Sequence, residues 1–286
     1  MKFATSSISR RSLLAGLALA AAGSLAACGA PGSEAGSGSA SDEAATLRIG
    51  ASPSPHAEIL HDFAAPRLAE KNITLDVVEY TDYIKPNQDV TSGELDANYF
   101  QHINYLNNYN EENGTDLVNA GEIHYEPFGI FPGRSNDLEN VADGATFSVP
   151  NDPTNEGRAL LLLQDLGLIT LDEAAGVTAT VNDITDNPHD LHFLEQEAAV
   201  LPSTLADVDF AIINGNYAID AGLSLDDAVA AENADSTAVR EQYVNIIATR
   251  PDLKDDARVV ALVETLKGDE FATYLQETFG SSVQAF

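Results

Sequence analysis

Val149-Pro150-Asn151-Asp152-Pro153-Thr154-Asn155-Glu156-Gly157-Arg158 is the stretch on which the reading of this chain turns. Thr146-Phe147-Ser148-Val149, ahead of and into it, has the β-branched and aromatic content of a strand. Two prolines then stiffen a turn, Asp152 or Thr154 can cap a following helix, and Pro153 suits its first turn. A helix over 156–166, carrying a run of leucines, is the expectation. Its start presents free N–H groups and a partial positive charge, which favour an anion. Arg158 sits one turn in. Its guanidinium can hold a carboxylate by two parallel hydrogen bonds, each charge-assisted bond being worth roughly 1.5–3 kcal/mol. A second reading leaves Arg158 on the surface, paired with Glu156 or Asp165. No glycine-rich loop precedes the helix, so a carboxylate fits better than a phosphate.

The same strand-then-helix alternation extends in both directions. Strands are expected at 46–50, 73–80, 146–149, 210–214 and 244–249, and helices at 55–70, 101–113 and 156–166. Val259, Val260, Leu262, Val263 and Leu266 recur at helical spacing, as do Phe271, Tyr274 and Leu275 after Gly268. The pattern predicts an α/β fold with largely parallel sheets. Asp/Gly/Ser-rich breaks at 133–144 and 231–236 bracket the middle third. A middle lobe inserted into an outer one makes the chain cross twice and leaves a cleft, where ligands gather.

Three further stretches carry polar and aromatic groups together. In Asn98-Tyr99-Phe100-Gln101-His102-Ile103-Asn104-Tyr105-Leu106, a helix would put Gln101, His102 and Tyr105 on neighbouring faces. Phe100, His102 and Tyr105 then either wall an apolar slot with polar edges or form an ordinary aromatic core around a satisfied histidine. Asn214-Gly215-Asn216-Tyr217 closes one strand, and Tyr243-Val244-Asn245 enters another. Asparagines at such strand ends either face a cleft or serve turn chemistry.

Enzymatic motifs are missing from the sequence. It contains no HExxH, no P-loop and no spacing of nucleophile and base. His189 and His192 follow Asn187-Pro188 in a turn-like stretch, and no cysteine supports a closed zinc site. The expectation is a non-enzymatic protein with no cofactor and no metal. The 45 Asp+Glu against 14 Lys+Arg, a net charge of −31, argue against nucleic acid and against electrostatic attachment to anionic lipid.

The chain opens with a basic segment (Lys2, Arg10, Arg11), an apolar run over 12–27, and Leu25-Ala26-Ala27-Cys28. This is the pattern of a secretory signal. The apolar run is too short for the roughly 20 residues of a spanning helix. The last four residues resemble a lipobox, so 1–27 is expected to be removed and Cys28, the single cysteine, to carry diacylglyceryl and further acyl (palmitate-type) chains. Two or more chains anchor a protein stably. Arg10-Arg11 fits either a twin-arginine export signal or an ordinary basic n-region. The Gly/Ser/Ala-rich segment that follows, within 28–45, reads as a flexible tether.

Taken together, these stretches resemble the methionine-binding lipoproteins of ABC importers. The resemblance runs through Gly50-Ala51-Ser52 with Pro55-His56-Ala57-Glu58-Ile59-Leu60, Thr81-Asp82-Tyr83-Ile84-Lys85-Pro86-Asn87, Gly93-Glu94-Leu95-Asp96-Ala97-Asn98, Phe100-Gln101-His102, 149–158 and 210–223. It implies a two-lobed periplasmic-binding-protein-like fold (type II-like), with a cleft between lobes joined by two crossover strands, near 125–134 and 244–249. Lobe 1 would be 46–133 and 244–286, and lobe 2 134–243. Residue by residue, Arg158 would hold an amino acid's carboxylate. Asn155, Asn214 and Asn245 would orient its carboxylate and ammonium. Tyr83, Phe100, His102 and Tyr105 would surround a thioether side chain, and Tyr217 would support the Asn214 corner. The implied partners are methionine or a derivative, an ABC permease with its ATPase, and the membrane through Cys28, with the protein itself a monomer on the extracytoplasmic face. The sequence departs from the family at Asn104, at Ser203-Thr204 and over 232–243. A surface interaction protein or adhesin that kept the fold and lost transport is the alternative; intact Arg158, Asn155 and Asn214 argue against it.

Overall fold

The computed structural model describes residues 44–286, so Arg10, Arg11 and Cys28 lie outside the described residues. Two sheets organise the chain. The first has six strands: β1 (Ala45–Ala51), β2 (Ile73–Glu79), β3 (Ala97–His102), β4 (Val118–Tyr125), β12 (Val244–Thr249) and β13 (Gln284–Ala285), in the order β13-β4-β12-β3-β1-β2. The second has five: β5 (Gly129–Pro132), β6 (Thr146–Pro150), β9 (His192–Gln196), β10 (Phe210–Ile213) and β11 (Ala230–Ala231), in the order β11-β5-β10-β6-β9. A small pair, β7 (Thr170–Leu171) with β8 (Ile184–Asp186), stands apart.

Strand periodicity shows why each sheet is covered on both faces. Along β10, Phe210 and Ile212 enter one core with Phe147, Leu160 and Leu163, while Ala211 and Ile213 enter another with Leu201 and Tyr217. In the first sheet, Ile247 joins Leu47, Ile49 and Tyr99 on one face; Val244, Ile246 and Ala248 join Leu95 and Leu106 on the other. All six residues of β3 and of β12 are buried. Full burial of each large aliphatic or aromatic side chain contributes about 1.5–3 kcal/mol.

The helices are α1 (Ala65–Ala69), α2 (Lys85–Ser92), α3 (Ile103–Asn113), α4 (Pro153–Asp165), α5 (Gly215–Asp220), α6 (Thr237–Tyr243), α7 (Ala257–Thr265) and α8 (Asp269–Phe279). The helix expected over 55–70 is broken into short wide turns, 53–57 and 59–64, before α1. The helix expected from Gln101 begins instead at Ile103. Gln101 and His102 belong to β3, opposite Ile246 and Asn245 of β12. Gln101 stays in the strand because its amide is locked into a buried network with Asn87 and Asn98.

The expectation of largely parallel sheets needs a similar correction. β1 pairs in parallel with β2 and β3, and β6 with β9 and β10, but β12 and β5 run antiparallel to their neighbours. These two strands follow the segments that carry the chain from one sheet to the other, and a strand arriving from the far sheet enters in the opposite sense. The second sheet begins before residue 134, since β5 pairs with β10 and β11. β12 lies wholly inside the first sheet, so the return between sheets falls between Ala231 and Val244, where α6 forms.

The stretch over 149–158 is a strand, a turn and a helix. Asp152 caps α4, its Oδ1 accepting from the Asn155 N–H at 3.1 Å. Gly157 is required by packing: a Cβ there would stand 2.3 Å from the Val177 carbonyl oxygen. Its absence lets the turn at Gly176–Thr178 close against the start of α4.

Candidate functional site

A cavity lies between the two sheets, at the kind of interface where small-molecule sites gather. Phe100 and His102 of β3, Asn245 of β12, Tyr83 and Tyr105 reach it from the first sheet's side. Asn155 and Arg158 of α4 and Asn214 to Asn216, following β10, reach it from the second. Glu126 enters from the crossing that follows β4.

Arg158 is buried, with its guanidinium 4.2 Å from the Tyr243 ring centre and 4.8 Å from that of Phe128. The edge expected for a ligand is already occupied. Nε and Nη2 donate to the two Glu232 oxygens at 2.8 and 2.6 Å, and Nη2 also donates to the Glu126 carbonyl at 2.8 Å. Burial works against the charge, and the Glu232 carboxylate overrides it, holding the guanidinium above the usual arginine value. Neither Glu156 nor Asp165 is the ion-pair partner. Nη1 has no hydrogen-bond partner among the described residues, so the cavity can draw on that nitrogen as a donor. Glu232 is itself fully engaged, accepting also from Tyr125 Oη and the Phe128 N–H at 2.7 and 2.9 Å.

The asparagines divide into two kinds. Asn155 is consumed by the protein: its Oδ1 accepts from Asn214 Nδ2 at 2.8 Å and from His102 Nε2 at 3.2 Å, and its Nδ2 donates to Asp152 at 2.9 and 3.0 Å. Asn214 is buried with Oδ1 unpartnered among the described residues. Asn245 Oδ1 accepts from His56 Nε2 at 3.0 Å, which turns the amide about a fixed point and leaves Nδ2 for the cavity. His102 is fixed at both nitrogens, because Nδ1 accepts from the Tyr105 N–H at 3.1 Å. Burial, with the Arg158 charge, pushes His102 down to about 3, so it is neutral and donates through Nε2.

The opposite end of the cavity is aromatic. Tyr83 packs on Phe100, Tyr105 and Tyr217 with ring centres 5.7, 5.8 and 5.0 Å apart. The phenols are tied off: Tyr105 Oη donates to the Tyr83 carbonyl at 3.0 Å, Tyr83 Oη to Asn216 Oδ1 at 2.5 Å, and Tyr217 Oη to the Thr81 carbonyl at 3.2 Å. The ring faces are therefore what the cavity meets. Contacts of a thioether with such rings contribute roughly 0.3–1.5 kcal/mol each.

Among the described residues, one buried group combines metal-ligand side chains: His56, His124 and Glu126. Its facing atoms are already engaged, His56 Nε2 with Asn245 Oδ1 and the other two with each other. His124 Nε2 donates to Glu126 Oε1 at 2.7 Å and His124 Nδ1 accepts from Tyr99 Oη. This is the arrangement of a hydrogen-bonded network.

Of the residues singled out from the sequence, Tyr83, Phe100, His102, Tyr105, Asn155, Arg158, Asn214 and Asn245 line the cavity together. Tyr217 does not; it stands behind Tyr83. Sequence reading missed Gln101, Asn216, Glu126 and Glu232. The first two lie inside stretches quoted from the sequence but were given no ligand role there. Glu126 had a signal, a lone carboxylate between a strand and Pro127. Glu232 had none, being 74 positions from Arg158.

The chain matches the model of the NlpA lipoprotein family over residues 47–286. It is 38% identical to a methionine-binding lipoprotein, MetQ, of Bacillus subtilis, over 96% of this chain and 98% of that one. Among solved structures, a lipoprotein from Ruminococcus gnavus aligns at 48% identity and a TM-score of 0.82, covering 84% of this chain and 99% of that one. A nutrient-binding protein from Burkholderia cenocepacia bound to methionine aligns at 38% identity and a TM-score of 0.79, again over 84% and 99%.

Proposed function

This chain belongs to the NlpA lipoprotein family, and we propose that it is the membrane-anchored solute-binding lipoprotein of an ABC importer, capturing methionine or a close derivative between two lobes. The observation that carries this reading is the polarity of the cavity. One end offers donors for a carboxylate, Arg158 Nη1 and Asn245 Nδ2, beside acceptors for an ammonium, Asn214 Oδ1 and Glu126. The other offers the faces of Tyr83, Phe100 and Tyr105 to an apolar side chain. A zwitterionic amino acid with a thioether matches both ends at once. The names of the relatives support the same ligand.

The lobes are taken to follow the two sheets, so that lobe 1 ends near Glu126 to Phe128 rather than at 133 and resumes between Ala231 and Val244. Residues 1–27 serve as the signal peptide, exported through the twin-arginine route. Cys28 carries the acyl chains, palmitate among them, and 28–45 forms the tether on the extracytoplasmic face. Among the described residues no helix is long and apolar enough to cross a membrane. A monomer delivers its ligand by docking on a permease driven by an ATPase, and the tether keeps it within reach. Tyr217 acts through Tyr83, and Asn155 through Asn214 and His102. Isothermal calorimetry of the ligand-stripped domain with methionine tests the assignment: a saturable 1:1 isotherm is expected, and no heat with methionine or its derivatives at millimolar concentration refutes it.

A further inference from the structure

At Glu126 the cavity wall opens into three buried ionisable side chains. Glu126 Oε1 accepts from His124 Nε2 at 2.7 Å, and His56 Nε2 stands 3.4 Å from the same oxygen. His56, His124 and Glu126 are 1%, 0% and 5% exposed. Gly215 makes room for the carboxylate, since a Cβ there would lie 2.7 Å from Glu126 Oε2.

The hydrogen bonds decide where a proton can sit. His124 Nδ1 accepts from Tyr99 Oη, so its one proton is on Nε2. A second proton on Nδ1 would strip Tyr99 of its acceptor. His56 donates through Nε2 to Asn245 Oδ1 at 3.0 Å, and its Nδ1 is buried without a partner among the described residues. A proton added there would be a buried donor with no acceptor, which is costly. The Glu126 carboxyl is the remaining place. The groups that face it are few. Tyr83, Tyr99 and His102 are neutral. Arg158 of α4 is a cation already matched by Glu232, and the Asn216 N–H of α5 reaches the carboxylate. Asp152 beyond Asn155 adds no positive charge. No lysine lines the cavity.

We propose that the empty site stores a proton on the Glu126 carboxyl, held by the neutral His56 and His124, and that an incoming α-ammonium expels it. This rests on the amino-acid reading above. The Glu126 O–H bond breaks, the proton passes to water, and the carboxylate left behind is neutralised by the ligand's ammonium. Burial pushes the Glu126 carboxyl up, and pushes His56 and His124 down to about 4 and 3, in the sense the exchange requires. Linkage then sets the direction: the bound state holds fewer protons, so affinity rises with pH until Glu126 is ionised in the free protein and is level above that.

Calorimetry of the wild-type protein with methionine, in two buffers of different ionisation enthalpy across about pH 5 to 8, counts the protons. Release of a fraction of one proton per ligand is expected, declining towards zero at the alkaline end. Carbon-13 NMR of glutamate carboxyls in the ligand-free protein is the second readout. Two glutamate carboxyls should titrate above the usual range, that of Glu156 and a second whose signal is lost in Glu126→Gln. Binding by the wild type with no proton release at any pH overturns the proposal, as does a Glu126 carboxyl that titrates normally. No heat with methionine while Glu126 still titrates high overturns the ligand reading and supports the stored proton.

Discussion

Arg158 and Glu232 form a buried bidentate pair, Nε to Oε1 at 2.8 Å and Nη2 to Oε2 at 2.6 Å, with side chains 4% and 7% exposed. Arg158 therefore has one nitrogen left to offer, and its orientation is held by a residue 74 positions further along the chain. Breaking a buried pair from one side leaves an uncompensated charge and costs about 3–5 kcal/mol. Glu232→Ala should lose stability on that scale in chemical denaturation, and bind methionine more weakly because the guanidinium is no longer held. Arg158→Lys keeps the charge and loses the fork, so it should bind at least about tenfold more weakly by calorimetry. Near-native affinity in Arg158→Lys would remove Arg158 from the site.

Asn155 and Asn214 should fail differently. Asn155 makes no free hydrogen bond to offer; its amide joins Asp152, His102 and Asn214. Asn155→Ala should lower both melting temperature and affinity, since each stranded buried partner costs about 1–3 kcal/mol. Asn214→Ala removes the unpartnered Oδ1 and should lower affinity more than stability. Equal losses of stability in the two variants would contradict this division.

The aromatic end should read sulfur. Phe100→Leu preserves most of the apolar volume but removes one ring from the wall. Wild type should prefer methionine over norleucine, and Phe100→Leu should narrow that preference by the ring's contact, about 0.3–1.5 kcal/mol. Competition calorimetry with the two amino acids measures it. An unchanged ratio would place the thioether elsewhere.

Glu156 gives the fold a pH dependence of its own. Its carboxyl accepts from the Val181 N–H at 2.9 Å. Burial pushes it up to about 7, opposed by that bond and helped by the charges of Glu195 and Asp152. A carboxyl raised on folding contributes stability that is present below the unfolded value, near 4.5, and is lost as pH rises through about 7. Glu156→Gln should therefore raise the melting temperature at pH 8 relative to wild type and change it little at pH 4. A uniform shift at both values would rule out titration as the cause.

Gly157→Ala should destabilise the second lobe. Its new Cβ would press on the Val177 carbonyl oxygen at 2.3 Å, a backbone atom. Overpacking of this kind costs about 1–3 kcal/mol, visible as a lower melting temperature with methionine binding reduced in parallel, since α4 carries Arg158.

The sequence by itself determined the local units and much of the cavity's membership. The proline-stiffened turn and Asp152 cap were legible over 149–158 because strand, turn and helix-start chemistry act between neighbours. Eight of the nine ligand residues named from the sequence line one cavity; the resemblance to a family, more than periodicity, made them legible, and Tyr217 fell behind the wall. Tertiary structure decided what local pattern could not carry. Gln101 reads as helical by its neighbours, yet a buried amide network and pairing with β12 hold it in a strand. The free edge of Arg158, the engagement of Asn155 by His102 and Asn214, and the burial of Glu126 beside His56 depend on groups 32 to 74 positions apart. Which polar atom stays available to a ligand is set by what its other partners have already taken, and those partners meet only when both sheets are assembled.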